Sequence, residues 1–93
     1  MAHEIQFSSD YLRELEQAIE NRLLISNRNA STFADQHDER VAQLMVMPRM
    51  GRREAENRYS VPVGKTGYRM VYQVAGNVVR LVGLTNSRQS RSR

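Results

Sequence analysis

Apolar positions divide the chain into a helical first half and a strand-like second half. Leu12, Leu15, Ile19 and Leu23 fall at i, i+3, i+7 and i+11, a single helical stripe. Ser8 or Ser9 can cap that helix, with Asp10 in its positive first turn. The stretch before it, "HEIQFS" (3–8), alternates weakly and predicts a short strand. The polar run "SNRN" (26–29) predicts a turn, after which Ser31 or Thr32 can cap a second helix. Phe33, His37, Val41 and Leu44 form its stripe, with Ala34 and Met45 beside it, and Pro48 ends it. A short connection makes the two helices an antiparallel hairpin. After "PRMGRR" the period becomes two. Tyr59, Val61 and Val63 alternate with Arg58, Ser60 and Pro62, and Tyr68, Met70, Tyr72 and Val74 with Arg69, Val71 and Gln73. "VVRLVGL" (78–84) is a third run, after an Ala75-Gly76-Asn77 turn. Three runs joined by tight loops predict an antiparallel meander. The expected fold is α+β, in the order β-α-α-β-β-β, with the helical hairpin on one face of a small antiparallel sheet. Leu15, Ile19, Val41, Leu44, Met70 and Tyr72 are its expected core.

One stretch, "VPVGKTGYRMVY" (61–72), resembles the end of a nucleotide-binding loop at Gly64-Lys65-Thr66. Such a loop needs a glycine five residues before the Gly-Lys-Ser/Thr and a helix after it. Tyr59 stands at that earlier position and a strand follows Thr66, so the stretch predicts a hairpin loop instead.

The length of 93 residues suits one domain, and a domain of this size buries only about two thirds of its unfolded surface. There is no apolar run of membrane-spanning length, and "MAHEIQFSSDYL" lacks the basic head and apolar core of a signal peptide. The absence of cysteine excludes disulfides and a thiol nucleophile and suits the cytoplasm. His3 and His37, the two histidines, lie far apart and offer no zinc pattern. No metal or cofactor is expected.

Charge alters the picture more. Residues 1–56 hold all ten acids and seven Arg, a net of −3, whereas residues 57–93 hold six Arg, one Lys and no acid, a net of +7. That asymmetry points the second half at an anionic surface. A tail from residue 86, "NSRQSRSR", is basic, serine-rich and expected to be mobile at its end. Thirteen of the fourteen basic residues are Arg. Arg suits bidentate contacts to phosphate and carboxylate, although a GC-rich genome would also favour it. With Tyr68, Met70 and Tyr72 turned to the helices, Arg69 faces the open side of the sheet. It is either an anion site, or is paired with Glu54 or Glu56, or is simply solvated.

"GYRMVYQVAGNVVRLVGLTNSRQ" (67–89) resembles the C-terminal half of the RelE/ParE family of bacterial toxins, with its Tyr-Arg-apolar-Val-Tyr strand, tight turn and Val-rich last strand. "PRMGR" (48–52) is similar to the segment that ends the helical hairpin in the ParE branch, and "FSSDYLRELEQAIE" (7–20) to its first helix. The resemblance implies a toxin held inactive by a cognate antitoxin encoded beside it. RelE-like members cut messenger RNA on the ribosome, which requires a base, an acid and charge stabilisation on the phosphate. Arg69 matches one family arginine, and Arg88 another if the turn is one residue shorter. Ser60 and Pro62 stand where the strand should be basic, and Asn86 where many ParE-like chains have His. Two cationic anchors are left without an evident acid or base. The resemblance therefore implies the ParE branch, understood to poison DNA gyrase by binding without catalysis. Ribosome-dependent RNA cleavage is the alternative, and a non-toxic nucleic-acid-binding module a third reading. The implied target-binding residues are Arg52, Arg53, Arg69, Arg80, Asn86 and Arg88. Arg80 can equally cap the sheet edge as a structural residue.

Overall fold

Ser8 Oγ accepts the Tyr11 backbone N–H at 3.0 Å and starts α1 (Ser9–Leu23), with Asp10 in its first turn. Ser26 does the same for α2 (Asn27–Val46), accepting from Asn29 N at 2.9 Å. The second helix therefore starts before the Ser31 or Thr32 that the pattern predicts, and "SNRN" supplies a cap and first turn rather than a loop. The strands are β1 (Glu4–Phe7), β2 (Arg52–Arg53), β3 (Arg58–Pro62), β4 (Tyr68–Ala75) and β5 (Val78–Asn86). The structure, a computed structural model, describes residues 2–86. Among them, no helix is long and apolar enough to cross a membrane.

The sheet order is β1-β5-β4-β3-β2. β3, β4 and β5 form the antiparallel meander that alternation predicts. The sheet as a whole is mixed rather than purely antiparallel, because β1 pairs in parallel with β5, Glu4 with Val78 through Phe7 with Leu81. Parallel strands need a long crossover, and here the whole intervening chain supplies it. The two helices cover one face, which completes the α+β architecture.

Tyr59, Val61, Tyr68, Met70, Tyr72 and Val74 are buried toward the helices, as their period requires. A shift in register between Val71 and Tyr72 then changes the parity of β5. Val71 pairs with Gly83 but Tyr72 with Leu81, leaving Val82 as the extra residue of a bulge. Leu84 is consequently buried with Val79 and Leu81, and not on the face of Arg80 as simple alternation predicts. Leu44, Met70 and Tyr72 are fully buried, while Leu15, Ile19 and Val41 pack against the core from its margin. The inward line of α1 is Tyr11 and Ala18, so the predicted leucine stripe lies on its flank with Leu12 and Leu23 half-exposed.

Gly51 of the "PRMGR" segment sits where no side chain fits. Its N–H donates to the Tyr72 hydroxyl at 3.1 Å, and an added Cβ would lie 2.5 Å from Ser60 O and 2.7 Å from that hydroxyl. The Gly64–Gly67 loop is a hairpin turn, with both glycines at positive φ (54° and 90°). Thr66 Oγ1 is used internally, donating to Val63 O at 2.7 Å and accepting from Tyr68 N at 3.2 Å.

The helices are tied to each other by a buried polar contact, Tyr11 Oη to His37 Nε2 at 2.6 Å. Burial, helped by the nearby Glu14, pushes the Tyr11 hydroxyl far above its ordinary range. With Nδ1 3.4 Å from the Asp38 carboxylate, the tautomer that donates there leaves Nε2 to accept from the tyrosine hydroxyl. Burial holds His37 below its ordinary value of 6.5, against the opposing pull of the solvated Asp38. The unfolded chain then binds a proton more readily than the folded one as pH falls below about 6.5. Stability is fully present above that value and is lost toward acid, at up to about 1.4 kcal/mol per pH unit. Urea midpoints should drop between pH 7.5 and pH 5.5, and a Tyr11→Phe, His37→Leu double variant should lose most of that slope. An equal slope in the double variant would remove His37 as its source.

Candidate functional site: an arginine face on the open side of the sheet

Opposed residues in neighbouring strands point to the same face. The register therefore builds three rows on the side away from the helices. Arg58, Gln73, Arg80 and Gln6 form the first row, Arg52, Ser60, Val71 and Gly83 the second, and Pro62, Arg69 and Thr85 the third. Four guanidiniums thus share one small surface. Strand parity, not a loop, sets the side of the sheet from which each one projects.

Arg69 is half-buried. Its Nη2 donates to Ser60 Oγ at 3.1 Å and to Ser60 O at 3.3 Å, and its Nε to Ser60 Oγ at 3.3 Å. Ser60 is 3% exposed, and its hydroxyl donates to Glu54 Oε2 at 2.5 Å. Arg52 reaches the same carboxylate oxygen with Nε at 3.1 Å and Nη2 at 3.0 Å. The result is a chain Arg69–Ser60–Glu54–Arg52. Hydrogen bonds from Ser60 and then Arg52 hold the Glu54 carboxyl below the usual carboxylate range, so it is an anion at neutral pH. Of the partners the sequence allows for Arg69, Glu54 is the one in place, reached through the Ser60 hydroxyl. Arg58 and Arg80 are exposed and make no side-chain hydrogen bond or ion pair to another described residue.

The predicted site residues do not all converge. Arg52, Arg69 and Arg80 lie on the open face. Arg53 pairs with Tyr59 and takes the opposite parity, its Nε donating to Ala55 O at 3.2 Å. Asn86 pairs with Tyr68 on the helix side, where it borders a hollow with Glu14, Gln17 and Asn21. Asn86 belongs to β5, and the rest of the expected tail lies outside the described residues. Arg88 lies outside the described residues. Arg58 and Ser60 belong to the arginine face although neither is among the predicted site residues. Their cross-strand register with Gln73 and Val71 is the signal that places them.

The face holds no histidine, tyrosine or lysine among its described residues. Tyr11, Tyr59, Tyr68 and Tyr72 are buried on the helix side, and His37 is engaged with Tyr11. Guanidiniums keep their protons at ordinary pH and cannot readily move them. The arrangement can bind and orient an anion; among the described residues its one carboxylate, Glu54, is engaged by Ser60 and Arg52 and has no acid partner beside it.

Known proteins share this architecture. A chain of the chromosomal ParDE toxin–antitoxin system from P. aeruginosa superposes with a TM-score of 0.76 at 13% identity, covering 91% of this chain and 96% of that one. A mutant of the E. coli toxin RelE in the free state gives 0.71 at 22% identity, covering 97% of this chain and 88% of that one. A chain of the intact E. coli RelBE toxin–antitoxin complex gives 0.69 at 21%, covering 91% and 96%. Identities this low speak to the fold alone. No curated protein matches in sequence. The family described as the ParE toxin of the type II toxin–antitoxin system parDE, however, matches residues 5–91. With a match over nearly its whole length and the helix-covered sheet that goes with it, the chain belongs to the ParE toxin family of type II toxin–antitoxin systems.

Proposed function

We propose that the chain arrests its host by binding DNA gyrase through the arginine face and that a cognate antitoxin neutralises it. The observation that carries the first part is the face itself: Arg52, Arg58, Arg69 and Arg80 in fixed rows with no general acid or base among them. Missing general acid–base help typically costs on the order of 10²–10⁴ in rate per group, so an RNA-cutting site of this build would be slow. Binding needs no proton transfer, and a cationic surface projecting from paired strands suits it.

The antitoxin reading rests on apolar surface that the fold leaves uncovered. Leu12 and Leu23 on α1 are half-exposed, Leu24 and Ile25 in the helix connection are 86% and 67% exposed, and Val46 and Met47 project at the end of α2. Leu12, Leu15 and Ile19 line a shallow depression on the surface of α1 together with Glu16 and Glu20. An amphipathic segment laid along the hairpin would cover these residues, in the manner of helix-in-groove recognition.

Purified protein is expected to inhibit supercoiling by gyrase, and equimolar antitoxin to relieve that inhibition. Messenger RNA cutting on ribosomes, with supercoiling untouched at excess protein, would overturn the gyrase reading in favour of RNA cleavage. If the product of the neighbouring reading frame fails to bind at micromolar concentration, the antitoxin part falls.

A further inference from the structure

A carboxylate of the chain itself already occupies the best-built anion seat on the open face. Glu54 follows β2, and its backbone N–H donates to Arg58 O at 2.8 Å. Its Oε2 accepts two hydrogen bonds, from the hydroxyl of the buried Ser60 at 2.5 Å and from Arg52 Nε at 3.1 Å, with Arg52 Nη2 in ion-pair contact at 3.0 Å. Behind Ser60 stands Arg69, whose charge also acts on the carboxylate. The floor of the seat is therefore fixed by strand pairing, Arg52 opposite Ser60 and Ser60 beside Arg69's strand. Its occupant is not fixed in the same way. Glu54 lies outside the strands on an exposed turn, and contacts of this exposed kind are weak.

We propose that Glu54 is a stand-in for a ligand, its side chain filling the Arg52–Ser60–Arg69 seat of the free protein until a carboxylate from an acidic segment of the protein target replaces it. The proposal rests on the reading that the open face meets a protein target. A carboxylate is favoured over a phosphodiester on two grounds. The seat already holds a carboxylate oxygen with two hydrogen bonds and an ion-pair contact. The face also carries no aromatic ring on which a base could stack, since Tyr59, Tyr68 and Tyr72 are buried on the far side.

The exchange gives the face a selectivity that four bare arginines would lack. A lone carboxylate that enters the seat only replaces an equivalent one, so little is gained. A segment carrying several acids replaces Glu54 and also reaches Arg58 and Arg80, which have no carboxylate partner among the described residues. Glu54 thereby filters isolated surface acids from clustered ones, which is discrimination through an unfavourable element against the wrong partner.

The test uses fluorescence anisotropy with labelled hexaglutamate, a hexanucleotide RNA and a short DNA duplex, on the full chain. Glu54→Gln and Glu54→Ala should each bind hexaglutamate about three- to fivefold more tightly than wild type, the range set by loss of one exposed ion pair. Glu56→Gln removes the same charge from a residue outside the seat and should stay within about twofold of wild type. In an Arg52→Ala background the gain from Glu54→Gln should vanish. Equal gains for Glu54→Gln and Glu56→Gln would overturn the seat, because only net charge would then matter. A gain for RNA or duplex alone would overturn its assignment to a protein carboxylate. Supercoiling is measured on the same variants. A hexaglutamate gain with gyrase untouched by every variant leaves the seat standing and removes the gyrase reading.

Discussion

Leu44→Ala is expected to lower the free energy of unfolding by about 2–5 kcal/mol, the usual cost of deleting most of a fully buried leucine. Leu44 is 0% exposed and belongs to the core cluster that joins α2 to the sheet with Phe33, Met70 and Tyr72. A domain of this length has roughly 5–15 kcal/mol in total, so the variant loses a large fraction of its stability. Urea unfolding followed by circular dichroism is the appropriate measurement, since the chain has no tryptophan. Leu24→Ala is the matched control: at 86% exposure it should change stability by no more than about 0.5 kcal/mol. A Leu44→Ala change inside that same margin would reject the packing of the hairpin on the sheet.

Arg69→Ala is expected to raise the concentration of protein needed for half-inhibition of gyrase at least about tenfold, since a hydrogen bond to a charged group is worth roughly 1.5–3 kcal/mol. Arg69 sits within the three-row surface, between Pro62 and Thr85, with neighbours on both sides. Its removal should leave the fold intact, because Ser60 keeps its bond to Glu54 and the strand pairing does not use the guanidinium. Arg69→Lys should fall between the two, keeping the charge but losing the Nε and Nη2 geometry toward Ser60. Undiminished inhibition by a folded Arg69→Ala protein would take Arg69 out of the target surface.

Much of this surface was legible in the sequence, for a simple reason. Period-two alternation along Tyr68–Ala75 fixes which way Arg69 points before any partner strand is known. The same rule failed at β5, where the Val82 bulge reverses parity and moves Leu84 and Asn86 to the helix side. A bulge is set by the pairing of two strands, so one strand read alone does not reveal it. Arg52 and Arg53 face opposite ways because they are adjacent on a strand, and the two-residue β2 gives no pattern from which to tell which of them shares the face of Arg69. The start of α2 was missed because Ser26 looks like a turn residue and acts as a cap, two roles with the same chemistry. On α1 the leucine stripe looked inward, but Tyr11 turns in to meet His37 and the small Ala18 lets the helix approach the sheet. Glu54 is among the partners the sequence offers Arg69, but the Ser60 hydroxyl that links them and the Arg52 contact depend on the register of β2 and β3.

The parallel pairing of β1 with β5 also decides when the sheet, and with it the arginine face, can first be completed. Glu4 finds its partner only at Val78, and β5 lies between β1 and β4, so it zips the first strand to the meander. While the chain is being synthesised, the helices can form locally, but the sheet lacks the strand that joins its two parts. Arg80 and Thr85, two members of the arginine surface, arrive on that same late strand. A nascent chain that stops short of β5 therefore carries neither a closed sheet nor a complete surface.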